Sequence, residues 1–145
     1  MKNPENRYDQ MISRLKAEKH KITPQRMAIA KILAESEDHP DIETIYNRLK
    51  NNFPRMSLAT VYRNVMVMKS LGEVLEIGFP DGGNRYEGNR TAPHPHAVCE
   101  RCRKIVDLET GVMADLVRTI EKESGFAITN HRLDFFGLCS DCRNR

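Results

Sequence analysis

Four cysteines could do metal chemistry. Cys99, Cys102, Cys139 and Cys142 are all the cysteines of the chain, and they fall as two Cys-x-x-Cys pairs. Brought together, two such pairs supply four thiolates around a tetrahedral ion. Zinc prefers that set, at roughly 2.3 Å per Zn–S bond, and no position stays open for a substrate. The expected site is therefore structural: a C-terminal half with a thin core, stapled by its metal. Disulfides use the same residues but are disfavoured where thiols stay reduced. A thioredoxin-like pair would stand alone beside a βαβ unit.

The histidines are more scattered. Only His94-x-His96 stands out by spacing, two histidines with one residue between them. Loop and surface chemistry accounts for these residues as readily as metal binding does. Imidazoles combined with carboxylates such as Glu87 and Asp107 would suit iron(II), manganese(II) or zinc, and not copper(I). A third group lies in Ser57–Leu71, where Thr60, Arg63 and Asn64 oppose an apolar face and Tyr62 sits beside them. Arg reads guanine and Asn reads adenine, while Tyr packs on a thymine methyl or bonds a phosphate. An ordinary amphipathic helix presents the same pattern.

The elements that must carry these residues change character along the chain. Tyr8, Met11, Ile12 and Leu15 recur at helical spacing. Thr23-Pro24 is a helix start, and His39-Pro40 ends that helix, since a residue before proline avoids the α region. Asp41 and Ser57 cap two further helices, the last with Leu58, Val61, Val65 and Met68 as its core face. The period then falls to two over Val74–Phe79, the turn-rich run Pro80–Asn84 follows, and Arg85–Glu87 returns. Helices followed by a hairpin are the order of a winged helix-turn-helix. Residues 88 to 95 read as a linker. Beyond it come a short strand at Ile105–Leu108, a helix from Val112 to Gly125 and a β-rich stretch from Phe126 to Leu138. The fold class is α+β: a DNA-binding domain over residues 1–87, a hinge over 88–93 and a small α/β domain with structural zinc over 94–145.

Composition narrows the function classes. In 145 residues, 23 Lys and Arg face 20 Asp and Glu, a net charge of +3. Six of the basic residues fall between Ser13 and Lys31 against a single acid, which suits phosphate contact or a solvated helix face. No run approaches the roughly 20 apolar residues that cross a bilayer. The opening Met1–Arg7 has no apolar stretch, so no secretory leader is expected and the assignment is cytoplasmic. There is no Gly-rich phosphate loop and no G-x-S-x-G elbow, so an enzyme is not expected. A metal-buffering or redox protein is the reading from another class. It leaves the helical half without a task.

Taken in order, the motifs resemble the ferric uptake regulator family from about Tyr8 to Cys142. They are Thr23-Pro-Gln-Arg26, His39-Pro40, Ser57-Leu-Ala-Thr-Val-Tyr-Arg63, Arg85-Tyr-Glu87, His94-Pro-His96, Cys99-Glu-Arg-Cys102, Ile105-Val-Asp107, His131-Arg132 and Cys139-Ser-Asp-Cys142. The resemblance implies a homodimer that binds double-stranded operator DNA through winged-helix ends. It implies zinc at the four cysteines. It also implies a regulatory iron(II) or manganese(II) at His39, Glu87, His94, His96 and Asp107, clamping the two domains. Lys21 would enter the minor groove, and Tyr62 and Arg63 would read the major groove. Pro93-His-Pro-His96 stands where iron-uptake members often carry His-His-Asp-His, which is similar to the peroxide-responsive branch. In that branch His39 and His94 are the residues oxidised. Glu87 and Arg63 depart from it, where its archetype has Asp and Asn. An iron-uptake regulator is the alternative, and a zinc-uptake regulator the third.

Overall fold

The computed structural model describes residues 4–79, 81–109 and 111–145. The chain divides into two compact units, one ending at Thr91 and the other running from Ala92 to Arg145.

In the first unit, α1 (Pro4–Ala17), α2 (Pro24–Glu35), α3 (Ile42–Leu49) and α4 (Leu58–Ser70) precede a hairpin of β1 (Leu75–Ile77) and β2 (Arg85–Glu87). The helix starts have the expected physical cause. Thr23, Asp41 and Ser57 are extended residues whose side chains accept the backbone N–H of Arg26, Thr44 and Thr60. Each satisfies a donor that the first helical turn leaves orphaned. Met11, Leu15, Ile29, Leu33, Ile45, Val61, Val65 and Met68 are fully buried in one core. Burying one such side chain is worth about 1.5–3 kcal/mol. Leu58, expected on the core face of α4, is instead 49% exposed at the helix's first position.

The hairpin is antiparallel, with Leu75 opposite Glu87 and Ile77 opposite Arg85. Pro80 of the expected turn lies outside the described residues. Glu76 ties the hairpin to α4. Its carboxylate accepts from Lys69 Nζ at 2.5 Å, Tyr86 Oη at 2.8 Å and Asn84 Nδ2 at 3.1 Å. The chain leaves β2 through Gly88, the first residue of the expected hinge, and Gly88 is packed closely. A Cβ there would stand 2.6 Å from Met11 Cε and 2.9 Å from both Leu33 Cβ and Leu33 O. Its carbonyl accepts from Arg7 Nε at 2.9 Å.

The second unit holds β3 (His96–Cys99), β4 (Ile105–Asp107), α5 (Val112–Ser124), β5 (Asp134–Gly137) and α6 (Ser140–Arg143). β3 is central, antiparallel to β4 and parallel to β5. The β-rich stretch expected over Phe126–Leu138 forms a strand only in its last part, and α6 carries no sequence signal of comparable strength. Helix α5 ends at Gly125, whose φ of +76° suits glycine. Among the described residues, no side chain of α5 is fully buried. Val112 is 64% exposed, and Leu116 and Ile120 are exposed with it. Among the described residues, no helix is long and apolar enough to cross a membrane.

Candidate metal centres and nucleic-acid face

The four cysteines meet at one end of the second unit's sheet. Cys99 ends β3, Cys102 follows in the turn to β4, and Cys139 and Cys142 flank the start and body of α6. Arg103, at a φ of +67°, closes the first knuckle and donates its N–H to Cys99 O at 2.9 Å. The four sulfurs lie within 4.8 Å of one another, and Cys102 Sγ is 3.7 Å from Cys139 Sγ. Ligands at about 2.3 Å around a tetrahedral ion stand about 3.8 Å apart, so the spacing fits zinc. All four are free thiols and not disulfides.

Electrostatics agrees with that fit. The N–H groups of Cys102 and Cys139 each point at Cys99 Sγ at 3.4 Å, and they bring the Cys99 thiol down to about 5. The N–H of Cys142 likewise lowers Cys139. Burial, followed by hydrogen bonds to the neighbouring sulfurs, pushes Cys142 up to about 12. Four adjacent thiolates repel one another, and a divalent cation removes that penalty.

Each unit also builds a buried imidazole–carboxylate group. In the first, His39 Nε2 lies 3.3 Å from Glu87 Oε2, with the two side chains 3% and 1% exposed. The backbone holds this pair in place. Helix α2 stops at Glu35, four residues before His39, and His39 takes a φ of +53° where an extended conformation is expected before proline. Such a conformation costs about 1–3 kcal/mol and persists only where neighbours enforce it. Here the Arg85 guanidinium donates to the carbonyls of both Asp38 and His39, and Tyr86 N donates to Pro40 O at 2.9 Å. The strand that carries Glu87 thus grips the loop that carries His39.

In the second unit, His94 Nε2 and His96 Nε2 each lie 3.3 Å from Asp107 Oδ1. Both rings can point one way because residues two apart on an extended segment share a face. His94 precedes β3, His96 opens it opposite Asp107, and Leu108 N donates to Pro95 O at 2.9 Å. The Nδ1 atoms are engaged elsewhere: that of His94 lies 2.7 Å from Ala92 O, and that of His96 lies 3.2 Å from Asp134 Oδ1. A hydrogen on Nδ1 would satisfy each of these contacts and turn the Nε2 lone pair toward Asp107. The two Nε2 atoms converge on one carboxylate oxygen, and a divalent cation suits that donor set. Ligands at about 2.1 Å stand about 3.0–3.4 Å apart, from octahedral to tetrahedral, and the observed 3.3 Å falls in this range.

On α4 and the segment before α2, Tyr62 is 51% exposed, Arg63 and Lys21 are exposed, and Thr60 is half-buried. Asn64 corrects the sequence expectation. It is only 8% exposed, and its amide is spent internally, with Nδ2 donating to Thr60 O and Oδ1 accepting from Arg26 Nε at 2.7 Å. An asparagine so bonded cannot offer a bidentate edge to adenine. The helical wheel places it on the polar side. Its partner Arg26, from the neighbouring helix, is what takes it inward. Arg26 also donates to Lys21 O at 2.8 Å, so one guanidinium links α4 to the segment before α2. Arg26, Arg85 and Asp134 are the residues that sequence reasoning missed as site builders. Two of them stand inside quoted motifs, but their partners are distant in sequence.

Comparison with known proteins places this architecture. A peroxide-responsive repressor PerR of Staphylococcus aureus is 36% identical over 141 residues, 97% of this chain and 95% of that protein. The solved PerR of Streptococcus pyogenes, described for peroxide sensing and gene regulation, is 32% identical, with 93% and 92% of the chains covered and a TM-score of 0.54. A zinc-bound manganese uptake regulator is 31% identical, with 89% and 98% covered and a TM-score of 0.68. The ferric uptake regulator of Helicobacter pylori shares the fold at a TM-score of 0.82 and 20% identity, with 97% and 94% covered. The sequence pattern of the family spans residues 17–136, from the end of α1 to the middle of β5. The chain belongs to the ferric uptake regulator family.

Proposed function

We propose that this protein is a metal-dependent transcriptional repressor of the peroxide-responsive kind. In this reading a dimer binds operator DNA while it holds iron(II) or manganese(II) in a nitrogen/oxygen site. His39 and Glu87 supply one half of that site, and His94, His96 and Asp107 the other. The observation that carries the reading is the convergence of the His94 and His96 Nε2 atoms on Asp107, a donor set that suits a cation. The four cysteines hold zinc, which joins the last segment of the chain to β3. The exposed apolar side chains of α5, with Phe135 and Phe136, favour a second copy of the chain as partner. Lys21, Thr60, Tyr62 and Arg63 face the DNA. Asn64 supports them from within.

The residues do three things. Arg85 presets the His39–Glu87 pair. The Nδ1 contacts preset His94 and His96. Together they leave little reorganisation to be done when metal arrives. Bound iron(II) would supply the electron that turns peroxide into an oxidant. The net change is one oxygen atom transferred from peroxide to an imidazole ring of His39 or His94, with water as the other product. An oxidised ring is a poorer ligand, and the DNA-competent form is lost with it.

The test loads iron anaerobically, adds near-stoichiometric peroxide, and follows operator binding together with the mass of tryptic peptides. Loss of binding with one oxygen gained on the His39 or His94 peptide is the expected result. Iron-dependent binding that survives, without that gain, favours the iron-uptake reading. Glu87 and Arg63 speak for that reading, since both depart from the peroxide-responsive pattern.

A further inference from the structure

The ligand set implied by resemblance stops at His96 and Asp107, but the sheet continues the row. His96 pairs with Asp107 across β3–β4 and with Asp134 across β3–β5. Register partners share a face. The His96 ring therefore stands between two carboxylates, with Nε2 at 3.3 Å from Asp107 Oδ1 and Nδ1 at 3.2 Å from Asp134 Oδ1. A neutral imidazole has one hydrogen to place. Asp134 is acceptor-only, and its second oxygen is held by Arg132 Nη2 at 3.3 Å. Its side chain is 13% exposed, so solvent screens the contact only partly.

The same strand pair reaches the cysteines. Cys99 lies opposite Gly137, Glu100 N donates to Gly137 O at 2.8 Å, and Cys139 N points at Cys99 Sγ. The sulfur cluster thus holds β5 against β3 at one end, and the contact of Asp134 with His96 lies at the other.

We propose that Asp134 is a positioning residue for the regulatory metal. It holds the His96 hydrogen on Nδ1 and so keeps the Nε2 lone pair for the ion. The four-cysteine centre sustains this by keeping β5 in register. The inference rests on the metal-site reading above. A carboxylate behind a ligating histidine fixes its tautomer and orientation, and removing one typically costs 10–100-fold in metal affinity.

The experiment uses zinc-loaded, full-length protein freed of regulatory metal. Nitrogen-15 NMR of the His96 ring reports the tautomer, and a manganese titration reports affinity. Zinc content and thermal unfolding check each variant. In the parent, Nδ1 should carry the hydrogen. Asp134→Ala should mix the tautomers and weaken manganese about 10–100-fold with zinc retained. Asp134→Asn keeps the shape with a weaker acceptor and should fall between. It carries the test if the alanine variant loses zinc or fails to fold. Parent-like affinity and tautomer in a folded Asp134 variant overturn the proposal. His96→Ala separates the two readings. If it loses manganese while the Asp134 variants do not, the positioning role alone fails. If the parent takes up no manganese, or His96→Ala titrates like the parent, both fall.

Discussion

Gly88→Ala isolates how tightly the chain is packed where it leaves the hairpin. The added Cβ would stand 2.6 Å from Met11 Cε and 2.9 Å from Leu33 Cβ and Leu33 O. Met11 can swing its terminal methyl away. The Leu33 atoms cannot move without shifting α2, whose Leu33 is fully buried. Overpacking of this kind costs about 1–3 kcal/mol. Alanine also narrows the unfolded ensemble, which offsets about 0.4–1 kcal/mol. The net expectation is about 1–2 kcal/mol of destabilisation. In a domain of 60–100 residues, each kcal/mol corresponds to about 4–8 °C in Tm. The assay is urea unfolding followed by the helical circular dichroism signal, with the parent's slope preserved. Gly72→Ala is the comparator, because Gly72 has a φ of +77° but open space around it. Its cost is conformational and independent of Met11. Measured in a Met11→Ala background, the Gly88→Ala increment should be smaller, since one of three overlaps disappears, although Met11→Ala is itself destabilising. A Gly88→Ala protein that unfolds at the parent's urea concentration refutes the packing argument.

Three other outcomes follow from the geometry. Cys99→Ser should release the zinc and melt the second unit, because metal binding there is folding free energy; a zinc-free variant that stays folded in elemental analysis and circular dichroism contradicts it. Arg63→Ala should cost about 1–3 kcal/mol of operator affinity and relax the base preference, whereas Asn64→Ala should lower stability and affect DNA affinity only through α4; relaxed specificity at one base in Asn64→Ala would show that it reads the operator after all. Burial raises the Glu76 carboxyl, but hydrogen bonds from Lys69, Tyr86 and Asn84 outweigh it and hold it below its ordinary value near 4.5. That stabilisation is complete above the ordinary value and is lost as pH falls through the lower folded one. Glu76→Gln should therefore be less stable than the parent at neutral pH and flatter through the acid range in denaturation midpoints.

The local elements were readable because their causes are local. Thr23, Asp41 and Ser57 each bond an amide three residues on, and the apolar spacing of α1 and α3 follows from the helical period alone. The two Cys-x-x-Cys pairs were legible for a similar reason, since each knuckle is set by neighbours and the donor type names the ion. The β-rich stretch was read over Phe126–Leu138, but its narrowing to Asp134–Gly137 and the inward turn of Asn64 were not legible in the same way. A strand exists by pairing with β3, and Asn64 is buried because Arg26 reaches it from another helix. His39 shows the division most clearly. The sequence marks it as a break before proline and, by resemblance, as a metal ligand. Its left-handed backbone and its aim at Glu87 come from Arg85, 46 residues away, because only a contact across the fold can hold a conformation that the residue disfavours by itself.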